Sequence, residues 1–398
     1  MKVVLLNRVL NRWRTPVYRR LARWPGIEFV AVHGADFPGT KTVNASDRSG
    51  FDHVQVPTWR LISRITDERE ITLPLFPTLL FRLWREAPDV VLAEGGVNLL
   101  NNALLLVYAT LTRTPVVWWT LGEVRHPGPL SPVQRLFRTV VAAMDRCGAA
   151  VLGYSSQALR YFDRIGIPAE RQFRALNCVD TDQVLEETVR VRDRVEPLRE
   201  ELGLAGRRVV LFVGALAPYK RVEDLIAVYA DLRRAHGDLA LLIVGGGSHR
   251  ATLERCARAE AAEDVVFSGE VIDGVAAYFE LGSVFVLPGL GGLAISEAMC
   301  HGLPVIAPEA DGTERDLIED GKSGFLVSRG DRAQLRDRLE QLLADPDRSQ
   351  RMGERSRWLI EHRYNIGTLM ESLVEALVYA HGGDRRPSDA VESGPAAR

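Results

Sequence analysis

Short, almost purely apolar runs alternating with helix-length stretches constrain this chain more than any other feature. The first set is Val3–Leu6, Phe29–Val32, Val90–Leu92, Pro115–Trp119 and Ala149–Leu152. Runs this short and this uniformly apolar predict strands buried on both faces, and helical patterns between most of them predict a parallel sheet covered on both sides. After a charged stretch at 182–201 the rhythm starts again. Val209–Val213, Leu239–Val244, Asp264–Phe267, Val284–Leu287, Pro304–Ala307 and Gly324–Val327 read as strands, separated by helices at 222–236, 249–260, 273–281, 292–301 and 312–319. The expected fold class is therefore α/β, with two doubly wound Rossmann-like halves whose sites lie at the carboxyl ends of strands. A length of 398 residues also exceeds what one core usually organises. The expected division is a first domain at 1–178, a linker at 179–204, a second domain at 205–346, helices at 347–381 and a disordered polar tail at 382–398.

Composition narrows the chemistry. The net charge of −2 is unevenly spread: residues 1–176 hold 23 Lys and Arg against 14 Asp and Glu, a balance of +9, which leaves −11 for the rest. This fits an N-terminal half that meets something anionic, or a drift of surface charge without function. A near-neutral total argues against nucleic acid as partner. Cys147, Cys178, Cys256 and Cys300 show no metal-ligand spacing and no CxxC, so reduced thiols in a cytoplasmic protein are expected. No apolar stretch approaches the roughly 18–20 residues of a spanning helix, the nearest being Ala103–Leu111. A dinucleotide site is poorly supported, since no GxGxxG follows the first strand of either half and Gly245-Gly246-Gly247 is followed by His249-Arg250 where a third glycine would fall.

Four strand-end elements of the second half could carry chemistry. Gly214 opens a turn that brings Lys220 and Arg221 before a helix, where two cations could hold a diphosphate, although Arg221 could equally cap the surface. Gly245 and Gly247 lie in a tight turn that would let a nucleotide approach the backbone. Gly269 and Val271 fall in a loop whose main chain could read a base edge, or in an ordinary connection. The stretch Leu287–Ile306 then runs from a strand end through Gly289, Gly291, Gly292 and Leu293 into a helix whose start favours an anion. Glu297 is the sole carboxylate among those residues.

In this order the elements resemble the family-4 glycosyltransferases of GT-B fold. VGALAPYKRVEDLI is similar to that family's G-R-L-x-x-x-K-x-x-x-x-L-I, and LLIVGGGSHRATLE to its I-x-G-x-G-x-x-x-x-x-L. FSGEV is similar to F-x-G-x-V, and GLAISEAMCHGLPVI with IEDGKSGFLV to the family's E-A-M helix and D-G-x-x-G-x-L-V ending. LNCVDTD at 176–182 resembles the N-G-V-D-T that closes the first domain. The resemblance implies two domains facing a cleft, a C-terminal helix crossing back to the first domain, and transfer of a sugar from a nucleotide-sugar with retained anomeric configuration. It implies that Lys220 neutralises the departing diphosphate, that Glu297 holds the ribose hydroxyls, and that Gly289–Leu293 offers N–H groups to the phosphates. It implies neither a metal nor another cofactor. Asp180-Thr181-Asp182 imitates a metal-binding D-x-D, but its place in the linker makes it structural.

The chain departs from the family at three points. The first acid of E-x7-E is Gly289, the arginine of G-R is Ala215, and no histidine follows the strand at 115–119, which leaves Glu123 and His126 as the nearest polar candidates. The first domain is expected to take a lipid-linked or carbohydrate acceptor, with Arg12, Glu94, Glu123 and His126 as candidates. Thr15 is expected to cap a helix opened by Pro16, with Val17, Leu21 and Trp24 on one stripe. Around it Arg8, Arg12, Arg14, Arg19, Arg20 and Arg23 interleave with Trp13 and Tyr18, which suits an anionic lipid surface or a solvated helix face.

Overall fold

A computed structural model describes residues 1–37, 43–65, 70–96, 98–122, 131–260, 262, 264–310 and 312–383. The chain divides into two compact units. Unit 1 comprises Met1–Tyr154, Ala158–Ala175 and the chain from Met370 onward; unit 2 comprises Ser155–Gln157 and Leu176–Leu369.

In unit 1 the strands β1 (Lys2–Asn7), β2 (Glu28–His33), β3 (Asp52–Gln55), β6 (Val90–Glu94), β7 (Val116–Thr120), β8 (Ala150–Gly153) and β9 (Gln172–Arg174) form one parallel sheet in the order β3-β2-β1-β6-β7-β8-β9. A separate antiparallel pair joins β4 (Trp59–Ile65) to β5 (Glu70–Leu75). The helices of this unit are α1 (Thr15–Ala22), α2 (Leu79–Glu86), α3 (Leu99–Thr112), α4 (Pro132–Cys147) and α5 (Ser156–Arg164), whose first two residues count with unit 2. Val4, Leu6, Val91, Ala93 and Trp118 lie buried between sheet and helices, which explains why those strands read as unbroken apolar runs.

Unit 2 opens with α6 (Thr181–Glu201) and continues through β10 (Arg208–Val213), α7 (Val222–Arg233), β11 (Leu239–Val244), α8 (Arg250–Ala259), β12 (Val265–Gly269) and α9 (Val275–Glu280). It ends with β13 (Val284–Val286), α10 (Ala294–Cys300), β14 (Val305–Pro308), α11 (Thr313–Leu317), β15 (Gly324–Val327), α12 (Arg332–Ala344), α13 (Pro346–His362) and the start of α14 (Ile366–Ala380). Its parallel sheet runs β12-β11-β10-β13-β14-β15. In each sheet the winding reverses once, between β1 and β6 and between β10 and β13, and the crevice at such a reversal is where this class of sheet binds ligands.

Several local expectations change. The charged stretch expected as linker is the helix α6: Asp180 caps it by accepting from the Gln183 amide at 3.3 Å, and Val184, Val191, Val195 and Leu198 form an apolar stripe against the unit 2 core. The helical pattern expected at 347–381 breaks into α13 and α14, because Asn365 accepts from the Thr368 amide at 2.9 Å and starts a new helix. From Met370 this last helix counts with unit 1, where Tyr379 meets Phe173 at 5.5 Å between ring centroids. Thr15 does not cap α1. A 3-10 turn at Arg12–Arg14 runs straight into the helix, so Thr15 is already helical and its hydroxyl donates to the Arg12 carbonyl at 2.9 Å. The tail expected to be disordered lies outside the described residues beyond 383.

Candidate active site

The donor-side residues gather at the carboxyl ends of β10 to β13, and backbone contacts hold most of them. Gly214 follows β10 directly, and its amide donates to Val244 at 3.0 Å. The Gly245 amide donates to Gly269 at 2.8 Å and the Leu216 amide to Gly246 at 2.8 Å, which ties the ends of β10, β11 and β12 together. The contact between Gly245 and Gly214 is so close that a Cβ at 245 would strike the Gly214 carbonyl oxygen; a Cβ at 247 would strike that of Leu216. Only glycine permits such an approach. Val271 follows in the same loop, half-buried against the core.

Lys220 joins this cluster to the opposite side of the reversal. Pro218–Lys220 forms a single 3-10 turn, and the Leu290 amide donates to Tyr219 at 3.1 Å. The buried Lys220 ammonium donates to the carbonyls of Leu290 and Gly291, both at 2.9 Å, and sits next to Gly292. One cation thus fixes the loop Gly289–Leu293 that leads into α10. Arg221, at φ 54°, is ion-paired: its Nε donates to Asp224 at 2.6 Å, and Arg332 reaches the other oxygen of the same buried carboxylate at 2.6 Å.

Glu297 lies one turn into α10. Burial, and then the charge of Glu187, push its carboxyl up from the usual 4.5 to about 7. Glu187 comes from α6 and accepts from the Gly274 amide at 2.9 Å. The stripe Val184, Val191, Val195 and Leu198 was the sequence signal that a helix would deliver it. A second unforeseen carboxylate is Glu314 of α11, buried against Gly291 and accepting from the Gly312 amide at 3.2 Å. Gly289 has no room for the family's acid, because a Cβ there would strike the backbone of Tyr219 and Lys220. In this packing a glutamate at 289 would break the loop.

The corresponding reversal in unit 1 is built from side chains. Glu94, at the end of β6, pairs with Arg8 at 3.5 Å just beyond β1. Behind them the buried Arg14 guanidinium lies over Trp119 at 4.1 Å, Trp13 at 4.6 Å and Tyr154 at 4.8 Å. Burial lowers the Arg14 pKa, and Nε and Nη1 find no hydrogen-bond partner among the described residues. The neighbouring Tyr18 hydroxyl, held by Asn7 at 2.8 Å, is pushed up to about 12 by the same burial. The six arginines therefore do not share one surface: Arg12 and Arg23 are exposed, Arg14 is enclosed, and Arg19 binds Asp47 at 2.6 Å. Glu123 and His126 lie outside the described residues. Asp180 and Thr181 act as helix cap and as acceptor for the Ile366 amide at 3.1 Å, and among the described residues no group of three or more His, Cys, Asp or Glu could hold a metal.

The family model of glycosyl transferases group 1 matches residues 195–358, which include every donor-side loop from Gly214 to Glu297. Curated relatives also match part of the chain. The chain is similar to the alpha-D-kanosaminyltransferase of Streptomyces kanamyceticus, at 33% identity over 234 residues, which are 57% of this chain and 60% of that one. It is similar to a GDP-mannose-dependent alpha-(1-6)-phosphatidylinositol monomannoside mannosyltransferase of Mycolicibacterium smegmatis, at 34% identity over 46% of this chain and 50% of that one. The chain thus spans about half to three fifths of these relatives. A crystal structure of Anabaena HepE in complex with UDP superposes with a TM-score of 0.75 at 17% identity, covering 95% of this chain and 99% of that one. With it the group 1 region and unit 1 together adopt the GT-B fold.

Proposed function

We propose that the protein is a retaining, metal-independent glycosyltransferase that moves a sugar from a nucleotide-sugar to a lipid-linked or carbohydrate acceptor in cell-surface polysaccharide or glycolipid assembly. The observation that carries this reading is the Lys220 ammonium, fixed beside the Gly289–Leu293 loop at the reversal between β10 and β13. There its charge stabilises the nucleoside diphosphate as the bond between the anomeric carbon and the phosphate oxygen breaks. The acceptor oxygen then bonds to the same face of that carbon, and its proton leaves with the diphosphate. Glu297, as carboxylate, accepts from the ribose hydroxyls. Gly214, Gly245, Gly247, Gly269 and Val271 present backbone to the nucleotide, and Gly292 and Leu293 present theirs to the phosphates. Arg12, Glu94, Glu123 and His126 are the residues we assign to acceptor binding. The kanosaminyl and phosphatidylinositol mannoside activities named for the relatives support a sugar or glycolipid acceptor. Work at the cytoplasmic face of an anionic membrane fits such an acceptor, and among the described residues no helix is long and apolar enough to cross one.

A second reading, a nucleotide-sugar-binding subunit without turnover, is favoured by the blocked position at Gly289. Calorimetry with UDP-, GDP- and ADP-sugars, followed by product analysis with membrane lipids as acceptors, separates the two. Binding with a glycosylated product supports the transferase; binding without product or donor hydrolysis supports the subunit. Absence of nucleotide binding overturns both.

A further inference from the structure

Two histidines stand side by side at the carboxyl end of β2. His33, the last residue of β2, is fully buried, and His53 lies diagonally from it on the edge strand β3. The ring centroids are 5.5 Å apart, with His33 Nε2 3.4 Å from His53 Nδ1. His33 Nδ1 faces the Gly34 carbonyl at 2.9 Å. A carbonyl only accepts, so Nδ1 carries the proton, Nε2 of the neutral ring is an acceptor, and His53 Nδ1 donates to it.

The carbonyl that His33 holds belongs to a pinned residue. Gly34 also accepts from Asn44 Nδ2 at 3.1 Å, its amide donates to the Arg8 carbonyl at 3.0 Å, and a Cβ on it would strike Phe76, Thr58 and Arg8. Asn44 in turn accepts from the Leu10 amide at 2.9 Å, and the Ala45 amide donates to Leu10 at 2.7 Å. Gly34 and Asn44 thereby hold residues 8–10 beyond β1, which carry the Arg8 that faces Glu94 at 3.5 Å.

Protons weaken this arrangement. One added proton can be shared if His53 moves its own to Nε2, but a full charge then lies in the buried site, and a second proton sets two N–H donors face to face. The charged groups acting on the pair are Arg48 and Asp36 from the connection between β2 and β3, and Asp52 of β3. On the β1 side His33 meets the uncharged Asn7, which the Tyr18 hydroxyl of α1 holds at 2.8 Å. The Asp36 carboxylate is already engaged by the Asn44 amide and side chain, both at 2.7 Å. Burial, partly offset by the Gly34 carbonyl, and then the charges of His53 and Arg48 bring His33 down from 6.5 to about 4; burial lowers His53 as well. Both shifts are downward, so the stability that the pair contributes is present above about pH 6.5 and is lost as pH falls toward about 4.

We propose that the His33–His53 pair positions residues 8–10, and with them Arg8 opposite Glu94, and lets go of them in acid. The acceptor role of Glu94 rests on the proposed function; the release in acid does not. Hydrogen exchange of the full chain, read by mass spectrometry at about pH 7.5 and about pH 5 and corrected for intrinsic rates, follows the amides of Leu10, Gly34 and Ala45. In the wild type their protection should fall about tenfold or more at the lower pH, while that of β10 in unit 2 holds. His33→Asn keeps a donor toward the Gly34 carbonyl but cannot titrate, so its amides should stay protected at both pH values. His53→Gln, at an exposed position, should make the fall shallower, and it decides the matter if His33→Asn does not fold. If the wild type keeps its protection in acid, or if either variant loses it as fully as the wild type does, the proposal falls. Calorimetry with UDP and GDP at neutral pH reports on the transferase reading whatever the exchange shows.

Discussion

Both units place a crevice at the reversal of a doubly wound sheet, but they furnish it differently. In unit 2 the strand ends touch through bare backbone, Gly245 on Gly214 and Gly289 on the Tyr219–Lys220 peptide, with one lysine pinning the loop. In unit 1 long side chains fill the equivalent place, Arg8 against Glu94 and Arg14 within three aromatic rings. Under the proposed function, backbone contacts suit a site that holds a nucleoside diphosphate whatever the acceptor. Side chains can change without moving the sheet, which suits an acceptor that varies.

If this contrast is right, the largest effect belongs to Lys220. Lys220→Ala should lower turnover by about 10²–10³-fold while nucleoside diphosphate affinity falls much less, because the charge matters most as the diphosphate departs; initial rates and calorimetry measure the two. Equal losses in both would reduce Lys220 to a ground-state contact. Next comes the backbone itself: Gly245→Ala or Gly289→Glu should destabilise unit 2 by about 2–4 kcal/mol and abolish nucleotide binding, seen as a drop of several degrees in thermal midpoint. A stable Gly289→Glu protein with altered donor choice would show that the loop adapts.

Glu297→Gln should weaken nucleoside diphosphate binding by about 1.5–3 kcal/mol at pH 8, roughly ten- to a hundredfold. The pH dependence sharpens the test. With its carboxyl raised to about 7, Glu297 is largely protonated at pH 6 in the free protein, so wild-type affinity should rise between pH 6 and pH 8, and the glutamine variant should not show that rise. The native state holds this proton more tightly than the unfolded chain, so the group's contribution to stability falls as pH rises from about 4.5 to about 7. Glu187→Gln should shift the affinity profile toward lower pH, since one of the two causes is removed. The smallest structural effect is expected in unit 1. Arg14→Met should change the thermal midpoint little, because an enclosed cation exchanged for an apolar isostere is often neutral, yet it should weaken acceptor binding. A large loss of stability would make Arg14 a structural pin and blur the contrast.

The sequence was most legible where one residue type has no substitute. Apolar runs buried on both faces declared the two sheets, and glycines at strand ends declared the close backbone turns of unit 2, because each obeys a short-range rule. The polar edge strand Asp52–Gln55 and the alternating pair Trp59–Ile65 and Glu70–Leu75 gave no such run and went unforeseen. Glu187 was hidden for another reason: a helix with alternating charges reads as a linker unless its four-residue apolar stripe is traced. The arginines around α1 share a neighbourhood in sequence and even a helix, but which of them meets solvent is decided by Trp119 and Tyr154, more than a hundred residues away.

The return of α14 to unit 1 bears on how the chain is made. The sheet of unit 1 is finished by Arg174, yet the part of α14 that belongs to it begins at Met370, after all of Leu176–Leu369 has been made. During that interval the surface that will receive Val374 and Val378 beside Trp24 and Ile27 stands open, while unit 2 can fold from its own contiguous stretch. A nascent chain stalled just short of Met370 would therefore carry a completed second unit and a first one still waiting for its closing helix.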